Sequence, residues 1–391
     1  LKAASTKIPR SSAILAVSLL LIFFISSLVR LAPVYAGFPT LLKEFDPYYF
    51  LANVDYIVKN GFASWFTWRD MTVWYPFGRD IAGSTYPGMV FTATLLYFFV
   101  NAIGIHVSTL TVAYYMPVLF GSLTPIVTYF LGKEVYDKRS GILAAFFIAL
   151  SPAIIQRQVA GFFDNDPFGV FLMLLTFYFF LRSLKRSSVP SAITAGLFLG
   201  YICISWGTYI YVIDILALFT FLMVLARRYS LRLFTSYTIT MLLGLFIGTL
   251  APRNGLGLLS SGGVLPADFM LGLLIVYESL RYLAKIPNVS RAANRIAKVN
   301  PFILAAVLVV GGFFALTFTP ISGKFLTVIM PLFRNTQAMI LASVGEHQPT
   351  GWASFFYYFG IIMILAIVGV YFSLKRFKEL DGFIILATLT L

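Results

Sequence analysis

Two acidic pairs and a lone glutamate stand out in a chain that has only 15 Asp and Glu among 391 residues. Glu44 and Asp46 fall in Glu44-Phe45-Asp46-Pro47-Tyr48-Tyr49. Asp164 and Asp166 fall in Gly161-Phe162-Phe163-Asp164-Asn165-Asp166-Pro167, and Glu346 in Ser343-Val344-Gly345-Glu346-His347-Gln348-Pro349. Carboxylates two residues apart, squeezed into a short turn at a helix mouth, repel one another unless a cation or a shared proton relieves the charge. Hard oxygen donors of this kind suit Mg²⁺ or Mn²⁺, and a metal so held can polarise a phosphoryl oxygen and neutralise a departing phosphate. A plainer reading competes. Asp followed by Pro at the first helical position is an ordinary helix start, so Asp164 and Asp166 could simply cap the helix that follows. Asp214, inside an apolar run, reads as a residue paired to a neighbouring helix or as a functional one.

A second group of residues is aromatic and cationic. Trp65-Phe66-Thr67-Trp68 and Trp74-Tyr75-Pro76-Phe77-Gly78-Arg79-Asp80 lie in one stretch between apolar runs. Such rings either form an interfacial belt or give a platform on which a sugar stacks, with Arg79 pairing a phosphate. Trp74, Tyr75 and Arg79 are therefore candidate substrate contacts. His347, beside Glu346, reads as a loop hydrogen-bond partner that could also donate to a phosphate. A single cysteine, Cys203, and two histidines, His106 and His347, leave no thiolate or imidazole cluster, so a metal site must be built of carboxylates.

The elements that must position these groups are membrane helices. The chain is 59% hydrophobic and 11% charged, with a mean hydropathy of +0.88. That is too little polar surface for a soluble domain. Apolar runs near 12–36, 109–131, 140–156, 167–184, 190–206, 208–226, 233–251, 264–284, 302–319, 353–374 and from 382 onward predict about eleven spans in one all-α membrane domain covering residues 1–391. The net charge of +14 is explained by basic loops on one side rather than by nucleic acid. The clusters at Lys133–Arg139, Arg182–Arg186, Arg227–Arg232, Arg281–Lys298 and Lys375–Lys378 share a side only if the apolar stretch 87–104 does not cross. That places the N-terminus in the cytoplasm. Lys43, Lys59, Arg69, Arg79, Arg157, Arg253, Lys324 and Arg334 then fall outside, as do Glu44, Asp46, Asp164, Asp166 and Glu346. Two external loops are long, about 37–108 and about 320–352, and long loops carry function. The basic stretch 285–298 reads as an anchor to anionic membrane lipids, and its Asn288-Val289-Ser290 sequon as inert on the cytoplasmic side.

The sequence resembles the catalytic subunit of oligosaccharyltransferase, the membrane enzyme of asparagine-linked glycosylation. Glu44-Phe45-Asp46-Pro47-Tyr48-Tyr49 with 74–88 resembles that family's first acidic motif and first external loop; Gly161–Pro167 resembles its second acidic motif; Ser343–Thr350 resembles its Ser-Val-Ser-Glu-type motif. Trp206-Gly207-Thr208-Tyr209 adds to the match. The resemblance covers the chain from residue 1 to the end. It implies a GT-C-like glycosyltransferase fold and a hexosyltransferase-class enzyme, metal-dependent and inverting. The oligosaccharide would pass from a dolichol-(pyro)phosphate carrier to the asparagine of Asn-X-Ser/Thr in an acceptor polypeptide. Residue by residue, it implies that Asp46, Asp164 and Asp166 hold Mn²⁺ or Mg²⁺, and that Asp46 and Glu346 hold the acceptor amide. It also implies two further spans, a soluble acceptor-reading domain with a Trp-Trp-Asp-Tyr-Gly motif, and a pyrophosphate-binding arginine, none with a counterpart in these residues. Loss of activity is therefore expected of this stretch alone. An archaeal plasma membrane is favoured over the endoplasmic reticulum on the Asp-Asn-Asp form and the compact loops.

Two alternatives stay in view. Another lipid-linked glycosyltransferase, transferring mannose to hydroxyls, would also place acidic residues in its first external loop, but has no place for Ser343–Pro349. A cation-coupled transporter would carry its carboxylates within spans.

Overall fold

The computed structural model describes residues 10–283, 351–376, 378 and 380–389. The chain forms two compact units, residues 1–209 with 239–256 and residues 210–238 with 257–391. The first carries both described acidic motifs. It runs α1 (Arg10–Arg30), α2 (Ala32–Tyr35), α3 (Asp46–Asn60), α4 (Phe62–Trp65), β1 (Arg69–Asp70), β2 (Arg79–Asp80), α5 (Ile81–Ser84), α6 (Pro87–Ala102) and α7 (Thr109–Val135). Then come α8 (Lys138–Leu150), α9 (Pro152–Ile155), α10 (Asn165–Arg186), α11 (Val189–Cys203) and the later part of α13 (Leu231–Thr249).

The starts of these helices are written in the sequence. Ser108 caps α7 by accepting from Thr111 N at 3.1 Å, Asp137 caps α8 through Ser140 N at 2.8 Å, and Ser188 caps α11 through Ser191 N at 3.3 Å. Packing follows from small residues and apolar faces. α7 and α8 approach so closely at Gly132 and Gly141 that a Cβ on Gly141 would lie 2.5 Å from the Tyr129 carbonyl oxygen. Ile22 of α1 closes this corner against Tyr129, Ala145 and Ala149. α10 packs on both α7 and α11. A two-stranded antiparallel ribbon pairs Arg69 with Asp80 and Asp70 with Arg79, folding the first loop back on itself.

The second unit contains most of α12 (Tyr209–Leu225), the start of α13, α14 (Leu265–Leu283), α15 (Trp352–Phe359), α16 (Ile361–Arg376) and α17 (Asp381–Leu389). Arg376 Nε donates to Asp381 Oδ2 at 2.7 Å and joins α16 to α17.

Four described helices are long and apolar enough to cross a membrane: α1 from Ser12, α7, α10 and α13. α6, α11 and α12 are apolar but shorter. Two differences from the sequence expectation have local causes. The run 353–374 is two helices bent by 78°, because Gly360 takes a positive φ of 47° between them. The run 140–156 breaks at Ser151, which is extended before Pro152. The expected span 302–319, residues 320–350 of the expected loop at 320–352 and the sequon at Asn288 lie outside the described residues.

Candidate functional site

The two acidic motifs are stitched together through the backbone. Lys43 N donates to the Gly161 carbonyl at 2.9 Å, so the segment leading to Asp46 lies against the segment leading to Asp164. Gly161 N donates in turn to the Tyr114 carbonyl on α7 at 2.9 Å. Gly161 has a φ of +87°, and a Cβ there would sit 2.7 Å from the Leu41 carbonyl oxygen, so this junction has room only for glycine. Phe50 of α3 meets Phe163 edge-on at 6.4 Å and seals the contact beneath.

A buried cation braces the same loop from below. Arg30, fully buried at the end of α1, donates to Gln158 Oε1 at 2.8 and 3.2 Å, to Ser26 Oγ at 2.6 Å and to the Ala149 carbonyl at 3.1 Å. Its own carbonyl accepts from Ala160 N at 3.0 Å. Through its guanidinium and its backbone carbonyl, Arg30 thus ties α1, the end of α8 and residues 158–160 into one support. In the sequence Arg30 is only a charge at the end of a span.

Asp46 is exposed and begins α3, with Pro47 after it. Asp164 is half-buried at the N-cap of α10, where its Oδ1 accepts from Asn165 N at 2.6 Å. The capping reading of Asp164 is therefore realised, but capping does not exhaust its charge. Its carboxyl is raised to about 6, chiefly by burial and with help from the neighbouring Asp166 and Asp46, while the Asn165 backbone bond and Arg157 oppose the rise. Asp166 pairs with Arg157 at 3.3 Å, and Arg157 also lies 5.1 Å from the Phe162 ring centroid. Beside them, Asn165 Oδ1 is buried without a hydrogen-bond partner among the described residues. Both α3 and α10 start here, so the positive ends of two helix dipoles lie beside this crowded negative charge.

The donor set fits a hard divalent cation. Crowded carboxylates and an orphaned amide oxygen are what such an ion would relieve, and Mg²⁺ is commonly held by one or two carboxylates with substrate phosphates completing its shell. Among the described residues no three carboxylate, imidazole or thiolate groups gather at metal-binding distance. Asp46 and Asp164 are electrostatic neighbours, with Asp166 engaged by Arg157. Glu346 and His347 lie outside the described residues.

The aromatic stretch divides in two. Trp65 is fully buried and its Nε1 donates to Asn53 Oδ1 at 2.9 Å, while Trp68 stacks on Tyr56 at 3.9 Å; these rings build the loop's own core. Trp74, Tyr75 and Phe77 are exposed. Arg79 bridges the halves, its Cζ 4.5 Å from the Tyr49 ring and 5.2 Å from the Trp74 ring. Trp206 lies against Gly169 of α10, one turn after Asp166. Arg30, Arg157 and Arg253 escape the sequence reading, their partners being far away in the chain; only an arginine in a short loop beside an acidic motif hinted at Arg157.

Residues 13–390 match the family model for the N-terminal part of the oligosaccharyl transferase STT3. A dolichyl-diphosphooligosaccharide–protein glycosyltransferase subunit STT3 of Dictyostelium discoideum is 33% identical over 90% of this chain, and the STT3B subunit of Arabidopsis thaliana is 30% identical over the whole of this chain. The chain spans about half of these relatives, 50% and 53%. Among solved structures, the archaeal oligosaccharyltransferase AglB of Archaeoglobus fulgidus, in complex with an inhibitory peptide and a dolichol-phosphate, superposes with a TM-score of 0.75. It is 20% identical, covering 96% of this chain and 46% of that one. The same organism's enzyme in complex with Zn and sulfate gives 0.68, at 20% identity, covering 95% and 45%. The helical fold is that of these membrane enzymes, and the chain belongs to the oligosaccharyl transferase STT3 family.

Proposed function

We propose that this chain is the membrane portion of an oligosaccharyltransferase catalytic subunit. In the whole protein it transfers an oligosaccharide from a dolichol-(pyro)phosphate carrier to the asparagine of an Asn-X-Ser/Thr sequon, with inversion at the anomeric carbon. The observation that carries this reading is the Lys43–Gly161 backbone bond, which lays the Asp46 segment against the Asp164 segment. Family membership supports the reaction class, and removes the footing of the transporter and hydroxyl-mannosylating alternatives.

Asp46, Asp164 and Asp166 are the residues to hold a divalent cation, Mn²⁺ or Mg²⁺; a Zn-containing structure of a fold relative supports a divalent ion without choosing between them. When bound, that ion would stabilise the negative charge gathering on the departing lipid phosphate. The chain's own groups act on the acceptor. An amide nitrogen is a poor nucleophile because its lone pair is delocalised, and Asp46 with Glu346 would accept its two hydrogens and weaken that conjugation. Arg157 holds the Asp166 carboxylate at 3.3 Å, and Arg30 fixes the loop that presents Asp164. His347 is a further phosphate donor, and Trp74, Tyr75 and Arg79 are contacts to the donor glycan. The remaining spans of the eleven, an external or luminal active site, a cytoplasmic N-terminus and an archaeal plasma membrane complete the proposal.

The test is glycopeptide formation by the full-length protein from a lipid-linked oligosaccharide and a sequon peptide. Asp46→Ala should abolish it. Undiminished transfer by that variant would remove Asp46 from the mechanism.

A further inference from the structure

Two guanidinium groups of the first unit converge on one residue. Arg79 Nε donates to Ser84 Oγ at 2.9 Å, and Arg253 Nη1 donates to the Ser84 carbonyl oxygen. Arg79 comes from β2 in the first loop, and Arg253 from the turn after α13. The sequence reading puts both on the external side from separate loops, and the fold brings them together.

Their partners are neutral. Arg79 lies between the Tyr49 and Trp74 rings, and Arg253 lies 4.2 Å from the Tyr86 ring centroid. Arg157, Arg186, Arg281 and Arg376 each pair with a carboxylate, whereas among the described residues neither Arg79 nor Arg253 has an ion-pair partner. Asp80, the nearest carboxylate in sequence, is occupied as the cap of α5, where it accepts from Gly83 N at 3.3 Å. Both terminal amino groups of Arg79 lack a protein acceptor among the described residues. Two cations that meet at one residue, and whose partners are a hydroxyl, a carbonyl and aromatic rings, leave positive charge that an oxyanion within reach of both would neutralise.

The place of this pair ties it to the reaction centre. Tyr49, the ring beneath Arg79, stands one helical turn from Asp46 on α3. Trp74 is 67% exposed beside the same guanidinium, so its open face can take a sugar ring next to the charge.

We propose that Arg79 and Arg253 form a cradle for an oxyanion of the lipid-linked donor, with Trp74 as the wall for the adjoining sugar. The oxyanion is the phosphate that joins glycan to lipid, or a carboxylate on one of the sugars. The inference rests on the oligosaccharyl-transfer reading above and deepens it by adding Arg253 and a charge requirement on the donor.

The test uses the full-length protein in lipid nanodiscs with Arg253→Gln, Arg253→Lys and Arg79→Gln. Arg253→Gln should raise the donor KM about tenfold, leave kcat and the acceptor-peptide KM within about twofold, and be partly rescued by Arg253→Lys. Arg79→Gln should raise the donor KM at least as much. If the cradle holds the phosphate, Arg253→Gln weakens dolichyl phosphate binding by the same factor. If it holds a sugar carboxylate, dolichyl phosphate binds unchanged, and the loss appears with an acidic-glycan donor but not with a neutral one. Unchanged affinity of Arg253→Gln for dolichyl phosphate and for both donors, with an unfolding midpoint equal to wild type, overturns the cradle. Failure of the underlying reading looks different: the wild type itself yields no glycopeptide, while donor and dolichyl phosphate binding, measured without acceptor, still report on the two arginines.

Discussion

The helices α7 and α10 run side by side and carry a carboxylate problem at each end, solved in opposite ways. At the end rich in Lys and Arg, Glu134 is 3% exposed and accepts from Arg186 at 2.9 and 3.1 Å, with Lys185 at 4.0 Å. Its charge is met within the protein, and the pair joins the last turn of α7 to the last turn of α10. At the other end, Asp164 is half-buried beside Asp166 and Asp46, with Arg157 as the cation that the protein supplies. A satisfied carboxylate makes a strut. A crowded, half-buried one, held open by Gly161 and braced by Arg30, is a place where charge from outside the protein is wanted.

That contrast breaks if the two ends respond alike. Asp164→Asn should reduce oligosaccharyl transfer about a thousandfold without lowering thermal stability, measured as initial rate and unfolding midpoint of the full-length protein. Arg30→Met tests the brace: it orphans Gln158 Oε1, Ser26 Oγ and the Ala149 carbonyl in the interior. It should cost about 3 kcal/mol, read by denaturant or thermal unfolding, with transfer falling only as the loop loosens. Glu134→Gln should do the reverse of Asp164→Asn, lowering stability by about 2 kcal/mol and leaving the rate at permissive temperature within about twofold. The smallest effect is on pH. The Asp164 carboxyl titrates near 6 in the fold, above its unfolded value of 3.8. It therefore disfavours the folded state above pH 6, and that penalty is relieved as pH falls through 6 toward 3.8. Lowering the pH of the chelator-treated protein from 7 to 5 should raise the unfolding midpoint by about 2 °C relative to Asp164→Asn, which lacks this group.

The acidic motifs were legible because carboxylates are rare in so apolar a chain and each must have a reason to be there. Their proximity was not, since Lys43 and Gly161 meet only through tertiary backbone bonding. Helix starts at Ser108, Asp137 and Ser188 follow from cap chemistry visible in the residues. The bend at Gly360 does not, because a glycine inside an apolar run costs a helix only about 1 kcal/mol and leaves the pattern intact. The aromatic loop shows the same limit. Trp65 and Trp74 look equivalent in sequence, yet one is the loop's core and the other faces out beside Arg79, a division set by Asn53 on α3 and by the ribbon that turns the loop back. Arg79 and Arg253 meet at Ser84 from opposite sides of the first unit's sequence, and no local pattern announces such a pair.

The most direct test of the contrast is Mn²⁺ binding, followed by electron paramagnetic resonance on the purified protein. The account predicts one bound ion per chain, lost in Asp46→Ala and in Asp164→Asn, and retained in Glu134→Gln. Full Mn²⁺ binding in both aspartate variants, or its loss in Glu134→Gln with the fold intact, would contradict it.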